Sequence, residues 1–282
     1  MSVTTLLRMN KDRCIAVDRN IAASLSVVSL GQGYSAPPTS YRSRDWAIAG
    51  GTFDFWLRLM LWVDDGGDVP ASECLTRALS VLDRYAGMPE AEEYFGEWLR
   101  SFPAGWPYRS LRELRSLAFC VRDRAWWTQL RHQHEQEASI RMIVYLSMLE
   151  FFGRTGELVT LSTNAILHDI GALEARAMAT SSLWPQKSVC LNPQFASAKR
   201  VGGGDGDVIV DDVLVEVKCT KERVPALACV QLAAYDYFAK RDGTRLEGLS
   251  LYSARYGFHA RLDGAAVQAV TPILDDLMRN VA

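Results

Sequence analysis

Gly202-Gly203-Gly204-Asp205-Gly206-Asp207-Val208-Ile209-Val210-Asp211-Asp212-Val213-Leu214-Val215-Glu216-Val217-Lys218 sets two β-branched runs on either side of a pair of aspartates. Such runs extend as strands, and a two-residue polar break between them suits a hairpin turn, although Asn-Gly is the stronger signal. With the turn at Asp211-Asp212 the register follows: Val210 opposes Val213, Ile209 opposes Leu214, Val208 opposes Val215, and Asp207 opposes Glu216. Side chains alternate along a strand. Val208, Val210, Val213, Val215 and Val217 therefore share a face fit for burial, and Asp205, Asp207, Glu216 and Lys218 share the other, at the open end of the hairpin.

Directly opposed residues have Cβ atoms only ~5 Å apart, and two carboxylates that close repel by a few tenths of a kcal/mol or more. A cation nearby would relieve them. Lys218 supplies one charge; a divalent metal supplies more and takes carboxylate oxygens at ~2.1 Å. A carboxylate pair beside a lysine on a rigid sheet is what metal-assisted phosphodiester hydrolysis uses. The same spacing also fits a surface hairpin closed by a Glu216–Lys218 salt bridge, and spacing does not choose between them.

Other motifs fail on detail. Asp205-x-Asp207 begins like a calcium loop, but Ile209 takes the next ligand position and Val210 the required glycine. No Gly-Lys-Ser/Thr follows the glycines, so there is no P-loop, and they open a strand where a dinucleotide fingerprint opens a helix. There is no G-x-S-x-G, and His132, His134, His168 and His259 lack metalloprotease spacing.

Downstream, Gln231-Leu232-Ala233-Ala234-Tyr235 lies in a helical stretch, where i,i+4 spacing puts Gln231 and Tyr235 on one face. A strand follows at Leu249 to Ser253. Helix packing, with the tyrosine hydroxyl satisfied by the amide, is the alternative to a shared site. Upstream, helical periodicity dominates: Ser72 to Tyr85, Glu90 to Phe102, Ser110 to His132, Glu137 to Phe152 and Thr163 to Thr180 read as helices. Gly153-Arg154-Thr155-Gly156 punctuates the chain, which predicts a helical domain over 1–155 and a second domain over 156–282. Trp46, Trp56, Trp62, Trp98, Trp106, Trp126 and Trp127 crowd the first part, as core packing or as a base-stacking platform. Arg109, Arg112 and Arg115 recur every three residues, as a solvated stripe or a phosphate-contacting face; Arg122, Arg124 and Arg131 follow.

The 282 residues carry a formal net charge of -2 and are 49% hydrophobic, which excludes bulk disorder and a broadly cationic nucleic-acid coat. Six scattered cysteines without a C-x-x-C pair argue against a zinc ribbon or a disulfide scaffold and read mostly as small buried hydrophobes. Met1 to Arg13 lacks the apolar core of a signal peptide. Ala47 to Val63 and Ile140 to Phe152 are broken by Asp54, Arg58, Arg141 and Glu150, so no membrane association is expected and the chain reads as cytoplasmic.

Asp207, then Glu216-Val217-Lys218 as an E-x-K element, then Gln231 and Tyr235 as Q-x-x-x-Y, resemble the PD-(D/E)XK, or restriction-endonuclease-like, nuclease superfamily in its RecB-like branch. The resemblance covers roughly residues 160 to 260. It implies a three-layer α/β/α core with a mixed sheet, preceded here by an all-α N-terminal domain. It implies Mg²⁺ or Mn²⁺ held by Asp207, Glu216 and the backbone carbonyl of Val217, with Asp205 as a substitute or second-metal ligand. Lys218 would position the attacking water, Gln231 and Tyr235 would contact substrate, and His168 or Glu174 would approach from the preceding helix. The implied activity is hydrolysis of DNA, or of RNA, in repair, a mobile element or antiphage defence. The helical domain would meet DNA, a protein partner or a second copy. The rival expectation is a catalytically inactive subunit that keeps the fold to bind nucleic acid or scaffold a complex.

Overall fold

The computed structural model describes residues 7, 11–12, 14, 25–29, 33–38, 41–65, 73–100, 109–120, 136–159, 163–180, 184, 188–201, 203–225 and 227–279. They fall into two compact units, Ala36–Ala175 and Met1–Ser35 with Arg176–Ala282. The division therefore sits at 175/176, inside a helix, and not at the 155/156 punctuation. The first 35 residues belong with the second unit because one of their segments pairs in its sheet.

The helical unit contains α1 (Ser43–Asp65), α2 (Glu73–Tyr85), α3 (Pro89–Arg100), α4 (Leu111–Cys120), α5 (Gln136–Thr155) and most of α6 (Thr163–Ala179). Local signals set several of these starts. Pro89 occupies the first helical position of α3, where its missing N–H costs nothing. Ser110 and Glu113 form a capping box on α4: the Glu113 N–H donates to Ser110 Oγ at 3.2 Å, and the Ser110 N–H donates to Glu113 Oε2 at 3.1 Å. Helix α5 is buried without a break from Met142 to Leu149, as expected of a central helix that is apolar all round. Rings of Tyr85, Phe95, Trp98, Tyr145 and Phe152 meet mostly edge to face around it. Trp98 also donates its Nε1–H to the Val159 carbonyl at 2.9 Å. Trp56 and Trp98 are thus core residues, and Trp46 is half-buried. Trp106, Trp126 and Trp127 lie outside the described residues, as do Arg122, Arg124 and Arg131.

The second unit is mixed α/β. Its strands β1 (Ser26–Ser29), β2 (Val189–Leu191), β3 (Val208–Val210), β4 (Val213–Lys218), β5 (Gly248–Ser253) and β6 (Phe258–Leu262) form one sheet in the order β1-β6-β5-β4-β3-β2. Only β4 and β5 run parallel; the other pairs are antiparallel. A parallel pair needs a crossover, supplied by α7 (Ala228–Arg241), which is buried from Ala228 to Ala239 apart from a half-buried Gln231. The last helix, α8 (Gly264–Arg279), packs beside it, and Tyr237 of α7 donates its hydroxyl to Asp275 of α8 at 2.6 Å. Leu214, Leu249, Leu251 and Leu262 point into the core these two helices complete. Strand β4 is central and buried on both faces, with Leu214 at 0% and Val215 at 3% exposure. Sequence reading of 1–155 as wholly helical misses β1, an edge strand that pairs with β6, more than two hundred residues downstream.

The β3–β4 hairpin has the register expected from its valines, Val208↔Val215, Ile209↔Leu214 and Val210↔Val213. Both turn residues adopt positive φ, Asp211 at 47° and Asp212 at 64°, the requirement of a type I′ turn. Asp211 gains a compensating bond, its Oδ1 accepting the Ser188 N–H at 2.9 Å. Asp212 is exposed, its side chain has no hydrogen-bond partner among the described residues, and its backbone carbonyl accepts the Glu247 N–H at 2.8 Å. Asp212→Gly should therefore stabilise the chain by about 0.5–1 kcal/mol, the left-handed strain relieved less the entropy glycine loses. Asp211→Gly should give no gain. Urea midpoints at unchanged m-value check both, and equal shifts would refute the account.

Among the described residues no helix is long and apolar enough to cross a membrane. Of the described cysteines, Cys14 and Cys229 are buried, but Cys120 and Cys190 are exposed and Cys219 is half-buried, so burial is less general than their composition suggests.

Candidate functional site

From Gly203 onward the glycine-rich run is pinned. Gly206 N–H donates to the Pro193 carbonyl at 3.0 Å, Asn192 N–H to the Asp207 carbonyl at 3.2 Å, and Asp205 bridges Gln194. A Cβ on Gly206 would lie 2.7 Å from Leu214 Cδ1 and 3.0 Å from Pro193 Cγ, so backbone and core approach too closely for any side chain. Gly206→Ala should cost about 1–3 kcal/mol by overpacking, read as a lowered urea midpoint; an unchanged midpoint would show that Leu214 and Pro193 yield freely.

This close approach delivers Asp207 to the end of the hairpin. The ladder ends at Val208↔Val215, and Asp207 bends out of it. Its Oδ2 accepts the Val217 N–H at 2.7 Å. Asp207 therefore does not continue the ladder opposite Glu216 as the register alone suggests; its half-buried carboxylate caps an amide of β4 where β3 has stopped. Val217 thus offers its N–H to Asp207, while its side chain lies on the opposite face.

Glu216 is 1% exposed, on the sheet face that carries Leu214 and α7. A carboxylate taken that far from water needs a cation. Lys218, two residues on and on the same face, supplies it through a close Nζ–Oε1 ion pair, with its own side chain 23% exposed. Burial of Glu216 removes the surface-hairpin reading, while the salt bridge that reading contained is present. Asp205 is exposed.

On α7, Gln231 donates its Nε2–H to the Tyr235 hydroxyl at 2.8 Å, so the i,i+4 pair does share a face. Tyr235 is 2% exposed and stacks on Phe195 with ring centroids 5.6 Å apart. The helix enters through Leu227, held at φ 73°, with its carbonyl accepting the Gln231 N–H at 2.9 Å. His168, exposed, and Glu174, half-buried, belong to the helical unit. So do the arginines of the stripe: Arg109 donates to the Leu99 carbonyl at 3.3 Å, Arg115 pairs with Asp83 at 2.8 Å, and Arg112 is exposed.

No known family, curated protein or solved structure matches this chain. What the site can do must come from its own groups. Asp207 and Glu216 are hard oxygen donors, the chemistry that suits Mg²⁺ or Mn²⁺ and not a soft metal. A carboxylate carries about four lone-pair sites, enough for an ammonium and a metal together, so the donor set fits such a cation. Among the described residues no three His, Cys, Asp or Glu side chains cluster as metal ligands; two carboxylates and a backbone carbonyl contain only two such side chains.

Sequence reading overlooked the groups that follow β4 and β5. Tyr256, in the 3₁₀ turn Ala254–Tyr256 after β5, donates its hydroxyl to the Lys221 carbonyl at 2.8 Å. The Arg223 guanidinium lies 4.2 Å from the Phe258 ring centroid, and Tyr34 stacks obliquely on Tyr256 at 5.1 Å. The available signal was the recurrence of cations past the E-x-K element, Lys221 and Arg223; the ring contacts link residues too distant in sequence to be read from it.

Proposed function

We propose that this chain is a metal-dependent nuclease that hydrolyses DNA phosphodiester bonds, with a restriction-endonuclease-like core, acting in the cytoplasm in repair, a mobile element or antiphage defence. The observation that carries the proposal is the buried Glu216 held by Lys218 and flanked by Asp207 at the open end of a central hairpin. The order of that hairpin, crossover helix α7 and parallel strand β5, with Gln231 and Tyr235 on α7, supports the same reading.

In it, Asp207, Glu216 and the Val217 carbonyl hold Mg²⁺ or Mn²⁺. Bound there, such a cation polarises a phosphodiester oxygen and lowers the pKa of its water. Lys218 pairs with Glu216 and positions the attacking water, and Gln231, half-buried, orients the substrate. Tyr235, nearly fully buried, fixes the Gln231 amide more than it touches DNA.

The test has two readouts. Mg²⁺ at about 100 times its Kd should raise stability by about 2.7 kcal/mol, and Asp207→Asn should abolish that gain. Purified chain with Mg²⁺ or Mn²⁺ should cut plasmid, linear duplex or single-stranded DNA, with RNA assayed in parallel. No cleavage of any polymer and no metal-dependent stabilisation would defeat the proposal. A second reading, an inactive nuclease-fold subunit, draws on two contacts: Lys218 already pairs with Glu216, and the Val217 amide already donates to Asp207. It predicts nucleic-acid binding or assembly without cleavage.

A further inference from the structure

Ligands of open α/β sheets bind outside the carboxyl ends of the parallel strands. Here β4 and β5 end at Lys218 and Ser253, which are register partners. The loop after β4 carries Lys221 and Arg223, both exposed, and the turn after β5 carries Tyr256. The Tyr256–Lys221 hydrogen bond ties these two connections together. Lys221 is three residues from Lys218, at most ~10 Å of chain.

Tyr34 completes the group, 36% exposed with its ring against Tyr256 at an interplanar angle of 39°. Its segment is anchored with unusual investment. Ser35 N–H donates to the Arg255 carbonyl at 2.8 Å, and Arg255 Nη1 donates back to the Ser35 carbonyl at 3.3 Å. Arg255 is 0% exposed. Burying a guanidinium costs free energy, and the bonds it makes to Ser35 fix the neighbouring Tyr34 with its ring at the surface. An exposed ring, Tyr34, backed by the half-buried Tyr256 ring and set beside exposed cations is a combination that can hold a single strand, bases on π-faces and phosphates on ammonium or guanidinium groups. A duplex keeps its base faces stacked and cannot use them.

We infer that Tyr34, Tyr256, Lys221 and Arg223 form a platform that grips a single-stranded DNA segment next to the Asp207–Glu216–Lys218 site, an inference that rests on the nuclease reading for its substrate. It assigns the enzyme to single strands or frayed ends.

The test measures binding apart from chemistry. In EDTA, the full chain should bind fluorescein-labelled oligothymidylate more tightly than a labelled hairpin duplex. Tyr34→Ala should weaken that binding about 5- to 150-fold, the loss expected for one stacked base, and Tyr34→Phe should restore it. Lys221→Ala should reduce the slope of log affinity against log salt by about 0.7, one phosphate contact on a single strand. Equal binding of duplex, wild-type affinity in Tyr34→Ala, or a Tyr34→Phe as weak as Tyr34→Ala would overturn the inference. Binding with this pattern but no Mg²⁺-dependent cutting would leave the platform standing and sink the nuclease. Cutting with Tyr34→Ala binding unchanged would do the reverse.

Discussion

Glu216→Gln combined with Lys218→Met should lower metal-dependent DNA cleavage by about 10³-fold, a typical loss for a positioned charged group, while the chain stays folded. The double change is needed because the two charges are not independent. Glu216 is 1% exposed and its cation is Lys218. Lys218→Ala alone strands a buried carboxylate and should destabilise by about 3 kcal/mol, the low end for breaking a buried pair, since the lysine side chain is 23% exposed and water can follow it. Lost cleavage in that variant would be indistinguishable from lost fold. Replacing both with neutral groups of similar shape is often near neutral for stability. Urea unfolding and cleavage of labelled DNA on the wild type, the two singles and the double give the full cycle. A double variant that cuts within about tenfold of wild type removes Glu216 and Lys218 from the chemistry. Four proteins that bind DNA alike and cut nothing favour the inactive subunit.

The hairpin at the centre of this experiment was legible because period-two alternation leaves one register that puts five valines on one face, and a slip by one residue would turn them to the other. Its end was not. The register places Asp207 opposite Glu216, but strand pairing stops at Val208, and the aspartate spends its carboxylate on the Val217 amide; nothing in the alternation says where a ladder ends. Gln231 and Tyr235 were legible because helical spacing is local. Strands β1 and β6 were not, since four residues at 26–29 acquire meaning only from a partner at 258–262. The same long-range pairing moved the first 35 residues out of the helical unit. The Tyr34–Tyr256 contact and the buried Arg255 that anchors it depend on that return of the chain, so no reading of either segment alone contains them.

The other large effect is on stability at acid pH, and it comes from β6. His259 is 6% exposed, opposite Tyr252 of β5 and Ser29 of β1. Its Nδ1 has no hydrogen-bond partner among the described residues. Burial, reinforced by the nearby Arg261 charge, pushes its pKa down to about 4. An unfolded histidine takes up a proton near pH 6.5. Between pH 6.5 and 4 the unfolded chain therefore binds the proton that the folded chain refuses, so stability rises with pH in that window. The contribution is fully present above pH 6.5 and lost as pH falls to about 4, amounting to ~3 kcal/mol at 1.36 kcal/mol per pKa unit. Carboxylates titrate nearby, so the difference between wild type and His259→Phe is the quantity to follow. That variant removes the proton site and keeps an aromatic ring in the sheet. Its stability relative to wild type should improve by ~3 kcal/mol between pH 7 and pH 4 in urea titrations. A difference that stays constant across this range would mean that His259 is protonated in the folded chain as readily as in the unfolded one, with water reaching it on the sheet face.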